Sequence, residues 1–254
     1  MLNIIRHPLF VLPVSFVLMW LSAQAGSFLR KRQLNIDEDL HQDHAVIVSA
    51  TLTLLALIIG FSFSMAIGRY DQRKNYEEAE ANAIGTEYVR ADLLPTDNAT
   101  KVRGLLKEYL DARILFYRIG DNQELEQVNA RIAQLQSGLW SAVKNPANNQ
   151  PTPVIALAVA GMNDVLNSQG YTQAAWWNRI PTGAWILMIA IAIWANLLVA
   201  YTTRRTQVGR LVMILPLIIA VAFFLIADID APRRGVIRVL PQNLISLAQS
   251  LKGP

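Results

Sequence analysis

The sequence predicts an all-α integral membrane protein, with four transmembrane helices grouped as two pairs around an inserted helical extramembrane domain. Three observations predict it. Of the 254 residues, 53% are hydrophobic, too many for an ordinary soluble domain of this length. Charged residues almost vanish from four windows and crowd into the segments between them, the segregation a bilayer demands. The long middle segment then carries helix start and stop signals at ordinary spacing. The expected parts are a first helix pair over residues 1–68, the helical domain over 69–181, a second hairpin over 182–230 and an amphipathic tail over 231–254.

The first window, Pro8 to Leu29, ends at Arg30-Lys31-Arg32. It competes with a cleaved secretory signal, because Ala23-Gln24-Ala25-Gly26 has a small-x-small pattern. Its apolar run is long for a signal, so a retained anchor is expected.

The second window, Ala45 to Gly68, holds no charge and spans about 35 Å at 1.5 Å per residue. No Pro or Gly break follows it before about Leu94, apart from Gly85 within an Ala-rich charged stretch. One rod leaving the membrane is expected. Ser49, Thr53, Ala56, Gly60 and Ser64 fall on one stripe of this helix at 3.6 residues per turn. Small and hydroxyl residues on one face serve either close helix packing or the wall of a polar pathway. Just beyond, Arg69, Arg73 and Glu77 recur every fourth residue beside Tyr70, Asp71, Lys74 and Glu78. They read as ion pairs and headgroup anchors, or as a charged vestibule at a pore mouth.

Pro95-Thr96-Asp97 starts a helix to Arg118, Gly120-Asp121-Asn122 turns the chain, and a further helix reaches about Lys144. Asn145 to Pro151 reads as a loop. A more apolar helix over Val154 to Asn167 then leads past Gly170 to Trp176-Trp177-Asn178-Arg179, which reads as an interfacial belt.

The third window, Pro181 to Tyr201, and the fourth, Leu211 to Ala227, flank a short basic loop from Thr202 to Arg210 and so form a hairpin. Asn196 in the third reads as interhelical glue. Pro216 marks a place where the fourth can kink. An amphipathic stretch, Leu240 to Leu251, closes the chain. An even number of spans puts both termini on the side of the helical domain. Basic residues near the membrane ends are too evenly divided to say which side that is.

Several function classes are excluded or disfavoured. The formal charge of +4 comes mainly from Lys and Arg beside the windows, where lipid headgroups lie, so no nucleic-acid partner is expected. Without Cys there are no disulfides and no thiolate sites. His41 and His44 stand among Asp37, Glu38, Asp39 and Asp43 without a third ligand at convincing spacing, so the stretch reads as an acidic loop and neither metal nor cofactor is expected. Phosphate loops, nucleophile elbows and paired acid–base groups are lacking, which argues against an enzyme.

The stretch Gly60-Phe61-Ser62-Phe63-Ser64-Met65-Ala66-Ile67-Gly68-Arg69-Tyr70-Asp71-Gln72-Arg73-Lys74, followed by Glu80 to Thr86, Arg90 to Pro95 and the closing Asp230-Ala231-Pro232-Arg233-Arg234-Gly235-Val236-Ile237, resembles a bacterial bestrophin-like membrane family. The chain is more distantly similar to bestrophin ion channels. That resemblance implies a pentameric ring passing inorganic ions through the lipid bilayer of a bacterial inner membrane, with the helical domain and termini cytoplasmic. It also implies a pore wall from the second span, with Ser49, Thr53, Leu57, Gly60, Phe61 and Ser64 lining it. Thr53, Leu57 and Phe61 take the neck position, and Arg69 and Arg73 bias the vestibule towards anions. No acidic run like the bestrophin calcium clasp is present. The alternative is a non-conducting scaffold or sensor, in which the stripe packs helices and the helical domain binds a partner.

Overall fold

A computed structural model describes residues 8–32, 38–203 and 213–252. The described residues are almost entirely helical, without strands. In chain order the helices are α1 (Pro8–Arg32), α2 (Glu38–Arg90), α3 (Thr96–Arg118), α4 (Asn122–Asn149), α5 (Pro153–Trp177), α6 (Thr182–Thr202), α7 (Ile214–Asp230) and α8 (Gln242–Ser250), with one 3-10 turn at Ala91–Leu93. They fold as two compact units. One comprises Met1–Arg69 and Arg179–Arg238, the other Tyr70–Asn178 and Val239–Pro254.

Among the described residues, three helical stretches are long and apolar enough to cross a membrane: Pro8–Lys31, His44–Leu93 and Pro153–Thr202. Within the second the uncharged part ends at Gly68, and within the third it is α6, which carries no charge at all. α7 has 17 residues, about 26 Å, at the short end for a span. Leu211 and most of the expected basic loop lie outside the described residues. Pro216 falls in the first turn of α7, where its missing N–H has no intrahelical partner to lose, so it starts the helix and does not kink it.

In the first unit α1 packs against α6 and α7 along Val11, Ser15, Met19, Ser22, Ala23 and Gly26, all inward-facing. Small residues let the backbones approach. The Ser22 hydroxyl donates to the Ile193 carbonyl (2.6 Å), and a Cβ on Gly26 would run into the Leu197 carbonyl. Asn196 is buried and its amide donates to Ala192 O (2.8 Å) and towards Met19 Sδ (3.3 Å), so it does face α1. Gly26, at the signal-like motif, is thus seated inside this packing.

α2 is a single helix of 53 residues, about 80 Å of rod. It begins at Glu38, so the acidic stretch expected as a loop is helical at least from there. His44 packs its ring edge-on against Tyr201, centroids 5.8 Å apart. Side chains of residues 37–43 lie outside the described residues.

The second unit packs α2 from Tyr70 onward, α3, α4, α5 and α8 around Val102, Leu106, Leu110, Phe116, Leu139, Met162, Val165 and Leu244. Asp121 caps α4 by accepting from the Gln123 and Glu124 N–H groups, and Thr152 caps α5 by accepting from Ile155 N–H. The expected loop from Asn145 is helix instead. Pro146 sits in the last turns of α4, where it forfeits one backbone bond while Gln150 N–H still reaches its carbonyl at 2.8 Å. α5 likewise runs unbroken through Gly170 to Trp177. Trp176 is not part of an interfacial belt: it is buried against Phe116 and Tyr117, with ring centroids 5.1 and 5.4 Å away, while Trp177 is exposed. Leu244 of α8, within the expected amphipathic tail, is fully buried in this unit.

Candidate functional site

The inward face of α2 repeats every three, four or seven residues: Leu55, Ser62 and Ala66 in the first unit, then Arg73, Glu77, Glu80, Ile84 and Glu87 in the second. The predicted stripe lies on other faces. Ser49, Thr53, Leu57, Gly60, Phe61 and Ser64 are all exposed, Phe61 to 65% and Leu57 to 52%. The Thr53 hydroxyl donates to its own helix at Ser49 O (2.9 Å), and a Cβ on Gly60 would meet no atom within 4 Å. Among the described residues the stripe is therefore not the seam by which α2 packs. A shallow, mainly apolar depression runs beside it, lined by Ala45, Val46, Ser49, Ala50, Thr53, Leu54 and Leu57.

The charged residues after the span divide three ways. Arg69 is mostly buried in the first unit, with Nη1 4.0 Å from Asp230 Oδ1. Arg179 brings Nε to 3.6 Å from Oδ2, and the same carboxylate accepts the Ile180 N–H at 3.2 Å. Asp230 is thus a buried anion facing two guanidinium groups and a backbone donor, which compensates its removal from water. Its neighbour Asp228 accepts from Val236 N–H (2.7 Å) and Ile237 N–H (2.8 Å), closing the chain after α7 into a tight loop. Gly235 is required there, since a Cβ would meet the Asp228 carbonyl.

Arg73 and Glu77, expected beside a vestibule, are taken into the interior of the second unit, each only 1% exposed. Glu77 accepts from Leu244 N–H (3.0 Å) and from Asn243 Nδ2 (2.6 Å) at the first turn of α8. A carboxylate from one helix thereby caps another. Tyr70 is half-buried against the same core, and Asp71 is exposed. Of the charged residues singled out in sequence, only Asp71, Lys74 and Glu78 face outward.

Sequence reasoning gave no role to the most deeply buried charges. Glu80 and Arg113 are both completely buried in the second unit and form a bidentate pair, Nε with Oε1 and Nη2 with Oε2 at 3.0 Å. Tyr117 Oη lies 3.3 Å and Thr172 Oγ1 3.2 Å from Oε2. Arg113 also lies over the Phe116 ring at 4.4 Å. Burial would lower the Arg113 pKa, but the Glu80 carboxylate more than offsets this and holds it above its ordinary value. Burial, with Glu80 adding to it, pushes the Tyr117 phenol up. Glu80 lies three residues from Glu77 and seven from Arg73, so its place on the buried face was implicit in the helical period. The available signal was that spacing.

Among the described residues no group of three His, Cys, Asp or Glu side chains is placed to hold a metal ion.

A family model described as Bestrophin-like domain matches residues 10–244. No curated protein matches. Among solved structures, a point variant of a bacterial Bestrophin homolog from Klebsiella pneumoniae superposes with a TM-score of 0.65 at 11% identity, covering 97% of this chain and 99% of that one. Another structure of a bacterial Bestrophin homolog from the same organism gives a TM-score of 0.62 at 12% identity, with 95% and 98% covered. A structure described as a membrane protein gives 0.62 at 14%, with 94% and 98% covered. At these identities the likeness is one of fold.

Proposed function

We propose, from the premise that this chain belongs to the Bestrophin-like domain family, that it is an ion channel built as a ring of copies in a bacterial inner membrane. Its four spans are α1, the uncharged part of α2, α6 and α7, with the helical unit and both termini on the cytoplasmic side. The pore wall is α2.

The observation that carries this reading is the outward exposure of Ser49, Thr53, Leu57, Gly60, Phe61 and Ser64 on a helix whose packing face lies elsewhere. Hydroxyl and small side chains gain nothing from lipid tails, so such a face is used against another helix or against water. A ring supplies both, with five copies expected from the family resemblance. Leu57 and Phe61, the large apolar groups of the face, form the constriction, which gates by excluding water. The scaffold reading needed the stripe packed within the chain, and its exposure does not favour that.

Ion preference follows from which charges remain on the open face. Arg69 is held against Asp230 and Arg73 is buried, so the two groups behind the expected anion preference are engaged elsewhere. At about 100° per residue, Asp71, Asn75, Glu78 and Asn82 continue the register of Ser64, and all four are exposed. Two carboxylates per copy against one neighbouring exposed cation, Lys74, repeated around a ring, favour cations.

The test is reconstitution into proteoliposomes and planar bilayers under a salt gradient. Ion flux that rises in Phe61→Ala, with a reversal potential on the cation side that moves towards zero in the Asp71→Asn, Glu78→Gln double variant, is expected. Silence of both the wild-type chain and Phe61→Ala would overturn the channel reading.

A further inference from the structure

Glu87 lies on the buried face of α2, two turns beyond Glu80, in the charged part of the helix beyond Gly68. It is completely buried, and neither carboxylate oxygen has a hydrogen-bond partner. A buried carboxylate so placed is costly when charged, because nothing replaces the water it has lost. Its room is made by α5. Gly161 lies directly against it, and a Cβ there would collide with Glu87 Oε2 and with Nη1 of Arg90.

The charges around it do not settle it as an anion. On α2 itself Arg90 lies one turn on, its guanidinium facing the same Gly161, and attracts a negative charge, but neither Glu87 oxygen has a hydrogen-bond partner. From α5 the facing group is Asp164, which repels one. The cations of α3 on this side are committed elsewhere: Arg103 and Lys107 lie over the Tyr88 ring, at 5.2 and 5.6 Å, and Arg103 also pairs with Asp92.

We propose that Glu87 is a proton-binding site that holds α2 against α5 while its carboxyl is neutral and loosens that contact when it is charged. The proton is exchanged with solvent, and no other bond changes. The direction agrees with the balance of forces: burial first, and Asp164 in addition, raise the Glu87 pKa to about 8 against the opposing pull of Arg90. The site is therefore mainly neutral at pH 7 and ionises on mild alkalinisation. This holds whether or not the assembly conducts.

The experiment is infrared difference spectroscopy of the full chain in lipid, wild type minus Glu87→Gln, from pH 6 to 10. Expected is a protonated-carboxyl C=O band in the wild type at pH 7, absent from the variant, that disappears with a midpoint near 8. In parallel, hydrogen exchange of the α5 segment around Gly161, corrected for the chemical rate, rises above that midpoint in the wild type and stays level in Glu87→Gln. Should Glu87→Gln fail to fold, Glu87→Ala provides the same subtraction. Absence of the band at pH 7, a midpoint in the ordinary carboxylate range, or equal exchange in both chains would overturn the proposal.

Discussion

Glu77 of α2 accepts the Leu244 N–H at 3.0 Å, so the first turn of the last helix is capped by a side chain 167 residues earlier in the chain. Both partners are buried. Replacing Glu77 by Ala leaves that N–H and the Asn243 amide without acceptors, which costs about 1–3 kcal/mol. The expected outcome for Glu77→Ala is a lower Tm together with faster proteolysis between Val239 and Leu251. Glu77→Gln keeps one acceptor oxygen and is expected to lose less. Equal melting of wild type and Glu77→Ala would show that the cap carries no stability.

The Glu80–Arg113 pair sets a different expectation, because both side chains are wholly buried. Removing one partner strands a charge in the interior, and such changes cost about 3–5 kcal/mol. Arg113→Met alone and Glu80→Leu alone are therefore expected to be severely destabilised. The double variant is expected to recover much of the loss, since neither charge then remains to be solvated. Thermal melts of these three variants and the wild type measure this as a coupling energy, and strict additivity would contradict it.

What the sequence revealed follows from which forces act along one helix and which act between helices. The uncharged windows at Pro8–Leu29, Ala45–Gly68 and Pro181–Tyr201 are legible because lipid imposes a compositional rule that needs no knowledge of neighbours. The unbroken rod of α2 was legible for the same local reason. The roles of Arg73 and Glu77 were not. Their spacing shows a shared face, but a shared face is equally good for solvent or for interior, and the deciding partners lie at Asn243 and Leu244. Trp176 misled in the same way, since its neighbour Trp177 alone keeps the exposure that an aromatic belt requires. Pro146 misled because the composition around it matches a loop, whereas the helix continues past it at the loss of one backbone bond.

Gly26 and Gly60 separate packing from lining on a single substitution. A Cβ at Gly26 strikes the Leu197 carbonyl, and backbone cannot step aside as a flexible side chain does. Gly26→Ala is expected to part α1 from α6 at a cost of about 1–3 kcal/mol, read as a lower Tm in detergent. Gly60→Ala meets nothing and is expected to leave the Tm unchanged or slightly raised, since Ala favours helix. If Gly60 faces a lumen, the same variant changes the single-channel current. A fall in Tm for Gly60→Ala, matching that of Gly26→Ala, would instead place Gly60 in a tight helix contact.

Glu87 makes stability depend on pH in a direction opposite to most carboxylates. Its folded pKa is raised from 4.5 to about 8, so between those values the folded chain binds more protons than the unfolded one. Its contribution is therefore complete below about pH 4.5, declines as pH rises, and is gone above about pH 8. The steepest decline one proton can give is about 1.4 kcal/mol per pH unit. Glu87→Gln cannot release a proton, so the stability difference between it and the wild type is expected to widen in favour of the variant as pH rises from 5 to 8 and to level off beyond. Denaturant melts of both chains in the same detergent across that range isolate the effect, because every other titrating group is common to the two. A difference that stays constant across that range would mean that Glu87 is charged in both states, its folded pKa at or below the ordinary carboxylate value.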